Sequence, residues 1–475
     1  MSKVLVERKR VEIGQKLASL NDEFDYWLTQ SQPNAAFEKH HSQIRAVTSI
    51  LRELQERVNQ RVAAAQTPDQ ILTVSHIASQ MTLSVHRIWE YFRSKFIQRR
   101  EERLSQYLRA ADEFAWACYQ PVLEGANAAT PGQFRKEPPL VFCNGGSSPF
   151  SVSRERSFEG EAVPNELLSG PELRRVLNSL PLPVIGVPWF QVAHWPDALV
   201  IAHEVGHTVE DDFHLTDSLQ EHLQTALQAG IDASHHAAWR SWLGEIFADL
   251  YGCLATGPAF VSALMDFLVR TPDALAQENR LEPNWGAYPT NPLRLLFNFA
   301  VLRAMGFTAE AETLRTTWQA LCPTHQLQNY EADVEPIVIA LLTRNYPPLG
   351  HQTLLDFEYP QPDAPAKKVK FRFTAEQQKK ALQTVQALKT GEALTQTQDF
   401  RVLLAASRLA YEADPQSFVD KKSAAKILAR ITALTKPGIR AGERVKSAAQ
   451  VQNIMNQDQQ TGEAMFEELW KQAEG

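Results

Sequence analysis

Apolar and polar residues alternate along this chain mostly with the period of helices. Leu17, Leu20, Phe24, Trp27 and Leu28 trace one stripe, the three-and-four spacing of a helix with one face against a core. A second helix is expected from about Asn34 through Ile44, Val47, Ile50, Leu51 and Leu54 to Ala65. A third opens at Thr67-Pro68-Asp69-Gln70, where threonine caps, proline takes the first turn and glutamine reaches back. It is expected to run past Trp89, Phe92 and Phe96 to Tyr119, with Arg99-Arg100-Glu101-Glu102-Arg103 as a solvated face. Prolines and glycines then break the helical pattern. Leu140–Cys143 reads as a short strand, and Phe150–Ser153 as a strand returning beside it across an Asn-Gly-Gly-Ser-Ser-Pro loop. A helix is expected from Gly170 to Leu177, and Leu182–Val192 reads as the best strand, an edge strand because of its prolines.

Downstream the pattern turns helical again. One helix opens at Pro196 and starts with the apolar run Ala198–Ala202, so it is expected to be buried. A short helix sits in the polar insertion Leu215–His236, and Ala238–Tyr251 carries Trp239, Trp242, Leu243, Ile246, Phe247 and Leu250 at core-facing spacing. More helices are expected at 260–269, 293–305, 309–321 and 334–342. Pro360–Pro365 reads as a linker and Lys367–Phe373 as a strand or tether. Helices follow near 400–412, 421–434 and 448–470. The fold class expected is mainly α with a small β-sheet. Its three regions are a helical bundle over 1–125, a core over 126–359 and a helical module over 366–475.

Candidate chemistry lies on the buried helix, in His203-Glu204-Val205-Gly206-His207. Residues four apart share a helix face, so His203 and His207 can present two imidazole nitrogens to one metal ion, with Glu204 placed to reach a water instead. Zinc needs a third protein ligand. Glu210 and Phe213 stand where the H-E-x-x-H-x-x-G-x-x-H pattern would require Gly and His, and His214 is one residue out of place. Glu245, on the helix with the tryptophan face, can close a His₂Glu set, and Asp249 one turn later can accept the other ring N–H of a liganding histidine. His222, His235 and His236 lie on a polar segment and are not needed as ligands.

H-E-V-G-H followed by Glu245-Ile-Phe-Ala-Asp249 resembles the gluzincin clan of zinc peptidases. Its E-x-x-A-D form is most similar to the CAAX prenyl endopeptidase family and that family's soluble relatives. The resemblance spans roughly residues 180 to 300 and implies a zincin-like core with one zinc per chain. By it His203, His207 and Glu245 are ligands, Glu204 is the general base and Asp249 orients a ligand. A Thr/Ser-His-Pro motif with a later Arg is matched only by Tyr288-Pro-Thr-Asn-Pro-Leu-Arg294, with Asn291 where His would stand. Tyr288, Asn291 and Arg294 are thus the candidates for oxyanion or substrate contacts. The expected activity is endopeptidase hydrolysis of a peptide or protein substrate. The alternative is a catalytically idle or structural zinc scaffold that acts in protein interaction through its N- or C-terminal helices.

Composition narrows the rest. A net charge of −7 over 475 residues gives no electrostatic case for nucleic acid. The four cysteines are far apart with no C-x-x-C, so free thiols are expected. No apolar run approaches a bilayer span, and the charged first ten residues lack a signal-peptide core, so a cytoplasmic location is expected.

Overall fold

The computed structural model describes residues 3–130, 137–146, 148–152, 182–278, 285–321, 330–361, 364–394, 397–435 and 448–474. The helix expected at Gly170–Leu177 and Cys322 lie outside the described residues.

The helices are α1 (Lys3–Gln30), α2 (His41–Ala64), α3 (Pro68–Phe96), α4 (Glu102–Ala129), α5 (Ile201–Asp212), α6 (Thr216–Gln228), α7 (His236–Thr256), α8 (Pro258–Leu268), α9 (Pro272–Ala276), α10 (Asn291–Ala304), α11 (Thr308–Leu321), α12 (Glu331–Thr343), α13 (Ala375–Thr390), α14 (Phe400–Ala413), α15 (Pro415–Asp420), α16 (Ser423–Leu434) and α17 (Ala448–Glu474). The strands are β1 (Leu140–Asn144), β2 (Phe150–Val152), β3 (Val184–Pro188), β4 (Asn345–Tyr346), β5 (Gln352–Thr353), β6 (Glu358–Gln361) and β7 (Ala364–Lys370). The protein is mainly α with small sheets, as the pattern predicts. The expected capping box at Thr67 and Gln70 is formed, and so is the one at Thr374 and Gln377.

Two cores flank the small sheet. The first joins α1, α2 and α3 with Met465, Phe466, Leu469 and Trp470 of α17, so the last helix lies in the core of the first three. The second runs from α4 through α5, α7, α8 and α10 to Ile431 of α16. Successive strand residues point to opposite faces. Leu140, Phe142 and Val184 enter the first core, while Val141, Cys143, Ile185 and Val187 enter the second. The sheet is the wall between them.

Five expectations change. The third helix does not run on to Tyr119: it breaks into a 3-10 turn at Ile97–Arg100, with Glu101 extended, before α4. The break turns Arg99 inward, so the charge run is not uniformly solvated. Arg99 is buried and donates Nη2 to Asp112 Oδ1 at 2.8 Å and Nε to His40 Nε2 at 3.0 Å. The strand expected over 182–192 is shorter and central, not an edge. Sheet order is β1-β3-β2, with β1 parallel and β2 antiparallel to β3. Pro183 precedes β3 and Pro188 ends it, so neither removes a donor from its interior. Consequently β2 returns beside β3 rather than beside β1. Finally, the stretch read as a linker contributes to the antiparallel hairpin β6–β7, anchored where Phe357 packs on Gly125 of α4. No described helix is long and apolar enough to cross a membrane.

One buried amine of α3, packed against the wall, has a measurable consequence. Lys95 is buried with Nζ 2.6 Å from the Tyr91 carbonyl oxygen and over the Tyr91 and Phe142 rings. Burial pushes its pKa down from 10.5 to about 7, against the opposing pull of Glu90. Between those values the unfolded chain holds a proton that the folded chain lacks, so stability rises with pH across the window. The slope is at most about 1.4 kcal/mol per pH unit. Urea unfolding at pH 7.5 and 9.5 is expected to show this gain in the wild type and to lose it in Lys95→Met; parallel pH profiles would refute the assignment.

Candidate metal centre

The helix that carries H-E-x-x-H enters through a 3-10 turn, Trp195–Val200, with Pro196 in its first positions. All twelve residues of α5 are buried. Burying its charges is costly without partners. At its C-terminal end the Tyr119 hydroxyl of α4 donates to Asp212 Oδ2 at 2.6 Å, and the Thr216 hydroxyl donates to Glu210 at 3.1 Å.

Helix α7 packs directly on α5, and Gly206 lets them approach. A Cβ built there would lie 2.9 Å from Ala248 Cα and 3.0 Å from Tyr251 Cβ. Gly206→Ala should therefore push the helices apart at a cost of about 1–3 kcal/mol. The same shift widens the gap between the His pair and Glu245. A loss of unfolding free energy together with weaker binding of added divalent metal checks this, and a variant with wild-type values of both would contradict it.

The close packing brings His203, His207 and Glu245 together. They are buried, and one potential ligand atom from each lies within 4.8 Å of the others. Glu245 Oε2 is 3.2 Å from His203 Nε2 and 3.4 Å from His207 Nε2. These separations exceed those of charge-assisted N–H···O bonds, about 2.7–2.9 Å. Ligand atoms that share one metal ion stand about this far apart.

The second partner of His203 sharpens the point. Its Nδ1 lies 2.8 Å from Asp249 Oδ1. Asp249 is fully buried. Burial alone would raise its pKa, but the Arg294 guanidinium and the His203 ring outweigh that and hold it at about 2. A carboxylate accepts only, so His203 Nδ1 must carry the proton. A neutral His203 then turns the bare lone pair of Nε2 toward the Glu245 carboxylate, which has itself no hydrogen-bond partner at Oε2. Buried lone pairs do not face one another without a cation between them. Protons are one solution, and the carboxylates accordingly raise the pKa of His203 against the effect of burial. A metal ion satisfies all three ligand atoms at once.

Glu204 is buried beside the triad but is not part of it. Burial pushes its pKa up, the two histidines pull it back, and Glu245 pushes it up again. Of the three residues read as oxyanion or substrate contacts, Arg294 is buried and commits Nε and Nη2 to Asp249 at 2.9 and 2.7 Å. Asn291 donates its side-chain amide to the Leu268 carbonyl at 3.0 Å, and its backbone N–H donates to Glu278 Oε2 at 2.7 Å. Tyr288 is 43 % exposed, its ring 4.9 Å from the Arg294 guanidinium carbon. Partial burial, with Glu245 and Glu204 nearby, pushes its phenol well above the usual range, so it keeps its proton and can donate.

The other histidines lie elsewhere. His214 is exposed at a left-handed position, φ 54°. His222 packs edge-to-face on Tyr346, His235 pairs with Asp333 at 2.7 Å, and His236 meets the Ile231 carbonyl. The sequence reading missed Asn298, one turn after Arg294, whose amide donates to Asp249 Oδ2 at 3.2 Å. An i, i+4 pair of polar residues amid the apolar run Leu293–Leu302 was the available signal. No protein-family model, curated protein or solved structure matches the chain.

Proposed function

We propose that the chain is a zinc peptidase in which His203, His207 and Glu245 hold one zinc ion and Glu204 is the general base. The observation that carries this reading is the approach of Glu245 Oε2, with no hydrogen-bond partner of its own, to two imidazole nitrogens at 3.2 and 3.4 Å. Zinc in a His₂Glu set acts as a Lewis acid on a carbonyl and lowers the pKa of water to about 7. Glu204 accepts the proton of the attacking water on its carboxylate and returns it to the departing amine nitrogen as the C–N bond breaks. With Arg294 and the Asn291 amide committed elsewhere, Tyr288, a protonated phenol near Glu245 and Glu204, is the candidate donor for the oxyanion. The resemblance of H-E-V-G-H and E-x-x-A-D to gluzincin peptidases supports the same assignment. Peptide or protein substrates follow from that class.

Asn291 favours a second reading, an idle zinc site in an interaction scaffold. It stands where the resembled family has His, and its amide is already spent on Leu268. Metal analysis and turnover separate the two. Purified chain should carry zinc near one equivalent, lost in His203→Ala, and should cleave a fluorogenic casein substrate. Zinc without any cleavage selects the scaffold, and absence of zinc at saturating supply removes both readings.

A further inference from the structure

The hydrogen bonds around Asp249 reach further than the histidine they orient. A carboxylate has about four acceptor positions. Oδ1 takes His203 Nδ1 at 2.8 Å and Arg294 Nη2 at 2.7 Å, and Oδ2 takes Arg294 Nε at 2.9 Å and Asn298 Nδ2 at 3.2 Å. All four are filled, so the direction of each oxygen is set by several donors at once. Asn298 is wholly buried on α10, and the same amide nitrogen also donates to the Arg294 carbonyl at 2.8 Å. Its oxygen faces Cys253 Sγ of α7 at 2.9 Å. Burial pushes the Cys253 thiol well above its ordinary pKa, so the sulfur keeps its proton and donates. Were the amide reversed, its oxygen would face two acceptors and its NH₂ would face the thiol proton.

We infer that Asn298 is a positioning residue for the metal centre, and that Cys253 sets the sense of its amide. The chain of contacts is Cys253 Sγ to Asn298, Asn298 to Asp249, Asp249 to His203 Nδ1, which leaves His203 Nε2 aimed at the site. It draws its far end from α7 itself, so the helix that supplies Glu245 also fixes the orienting carboxylate through α10. This inference rests on the zinc reading, and partners behind a liganding histidine are worth about 10–100-fold in metal affinity.

The test uses the full chain with Asn298→Leu, Cys253→Ala and Cys253→Ser. Zinc affinity is measured by competition with a chromophoric chelator, and thermal midpoints are measured in excess chelator. Nitrogen-edited NMR of the histidine side chains, also in chelator, reports the Nδ1 proton of His203. Asn298→Leu should bind zinc about 10-fold or more weakly and lose the exchange-protected Nδ1–H signal of the bond to Asp249. Cys253→Ala should weaken binding in the same direction, and Cys253→Ser, which keeps a donor, should restore it. Wild-type affinity and a wild-type Nδ1–H signal in Asn298→Leu would overturn the inference, as would equal losses in the two cysteine variants. If Asn298→Leu does not fold, the cysteine pair decides alone. A wild type that binds no zinc yet shows an Nδ1–H signal lost in Cys253→Ala and rescued by serine would remove the zinc reading and leave the positioning role standing.

Discussion

Glu204→Gln is expected to lower kcat for peptide cleavage by about 10²–10⁴-fold with zinc content unchanged. The amide is nearly isosteric with the carboxylate but cannot take a proton from water. Glu204 lies outside the set of converging ligand atoms, so the metal should not notice the change. The substitution also removes a negative charge that burial and Glu245 already disfavour, so the variant should fold at least as well as the wild type. Kinetics on the fluorogenic substrate, with zinc measured on the same preparation, check both halves. Equal turnover in the two proteins would assign the hydrolysis to a contaminant or to different residues, and zinc loss in the variant would place Glu204 among the ligands.

Arg294→Met should have the largest effect on stability. Asp249 and Arg294 form a buried pair with two parallel hydrogen bonds, at 2.9 and 2.7 Å. Removing one partner of such a pair leaves an uncompensated charge and costs about 3–5 kcal/mol. Asn298 and His203 would be the donors left to Asp249, and neither carries a fixed positive charge. The variant should unfold at markedly lower urea, and it should bind zinc more weakly because the carboxylate behind His203 is free to turn. Lysine cannot reproduce the planar fork, so Arg294→Lys should recover only part of either loss. A stability change under about 1 kcal/mol would mean that the pair behaves like a surface salt bridge despite its burial.

The candidate ligand triad was legible because helical geometry is local. His203 and His207 share a face by their spacing alone, and the tryptophan stripe places Glu245 and Asp249 on a second buried helix. The capping boxes and most helix positions follow from the same local rules. Strand pairing is not local. β1, β2 and β3 are three to five residues long, and nothing in such short runs states which will lie in the middle. Arg99 looked solvated beside Arg100 and Glu101 because charged runs usually are. Only the break at Ile97–Arg100 turns it toward Asp112. Pro360–Pro365 has a linker's composition, yet the Phe371 N–H donates to the Phe357 carbonyl across the base of the hairpin, and Phe357 packs on Gly125 of α4.

By itself the sequence determined that the chain is mostly helical, that two of its helices are buried, and which side chains on them share a face. The periodicity of a helix is written every three to four residues. Only the tertiary structure decided that Arg294 and Asn298 of α10 both close on Asp249, and that the last helix belongs with the first three. Those arrangements depend on contacts between residues 45 to 400 or so apart in the chain, where the alternatives differ in packing and in partners for buried charge. Neither quantity is carried by the spacing of residues along one element.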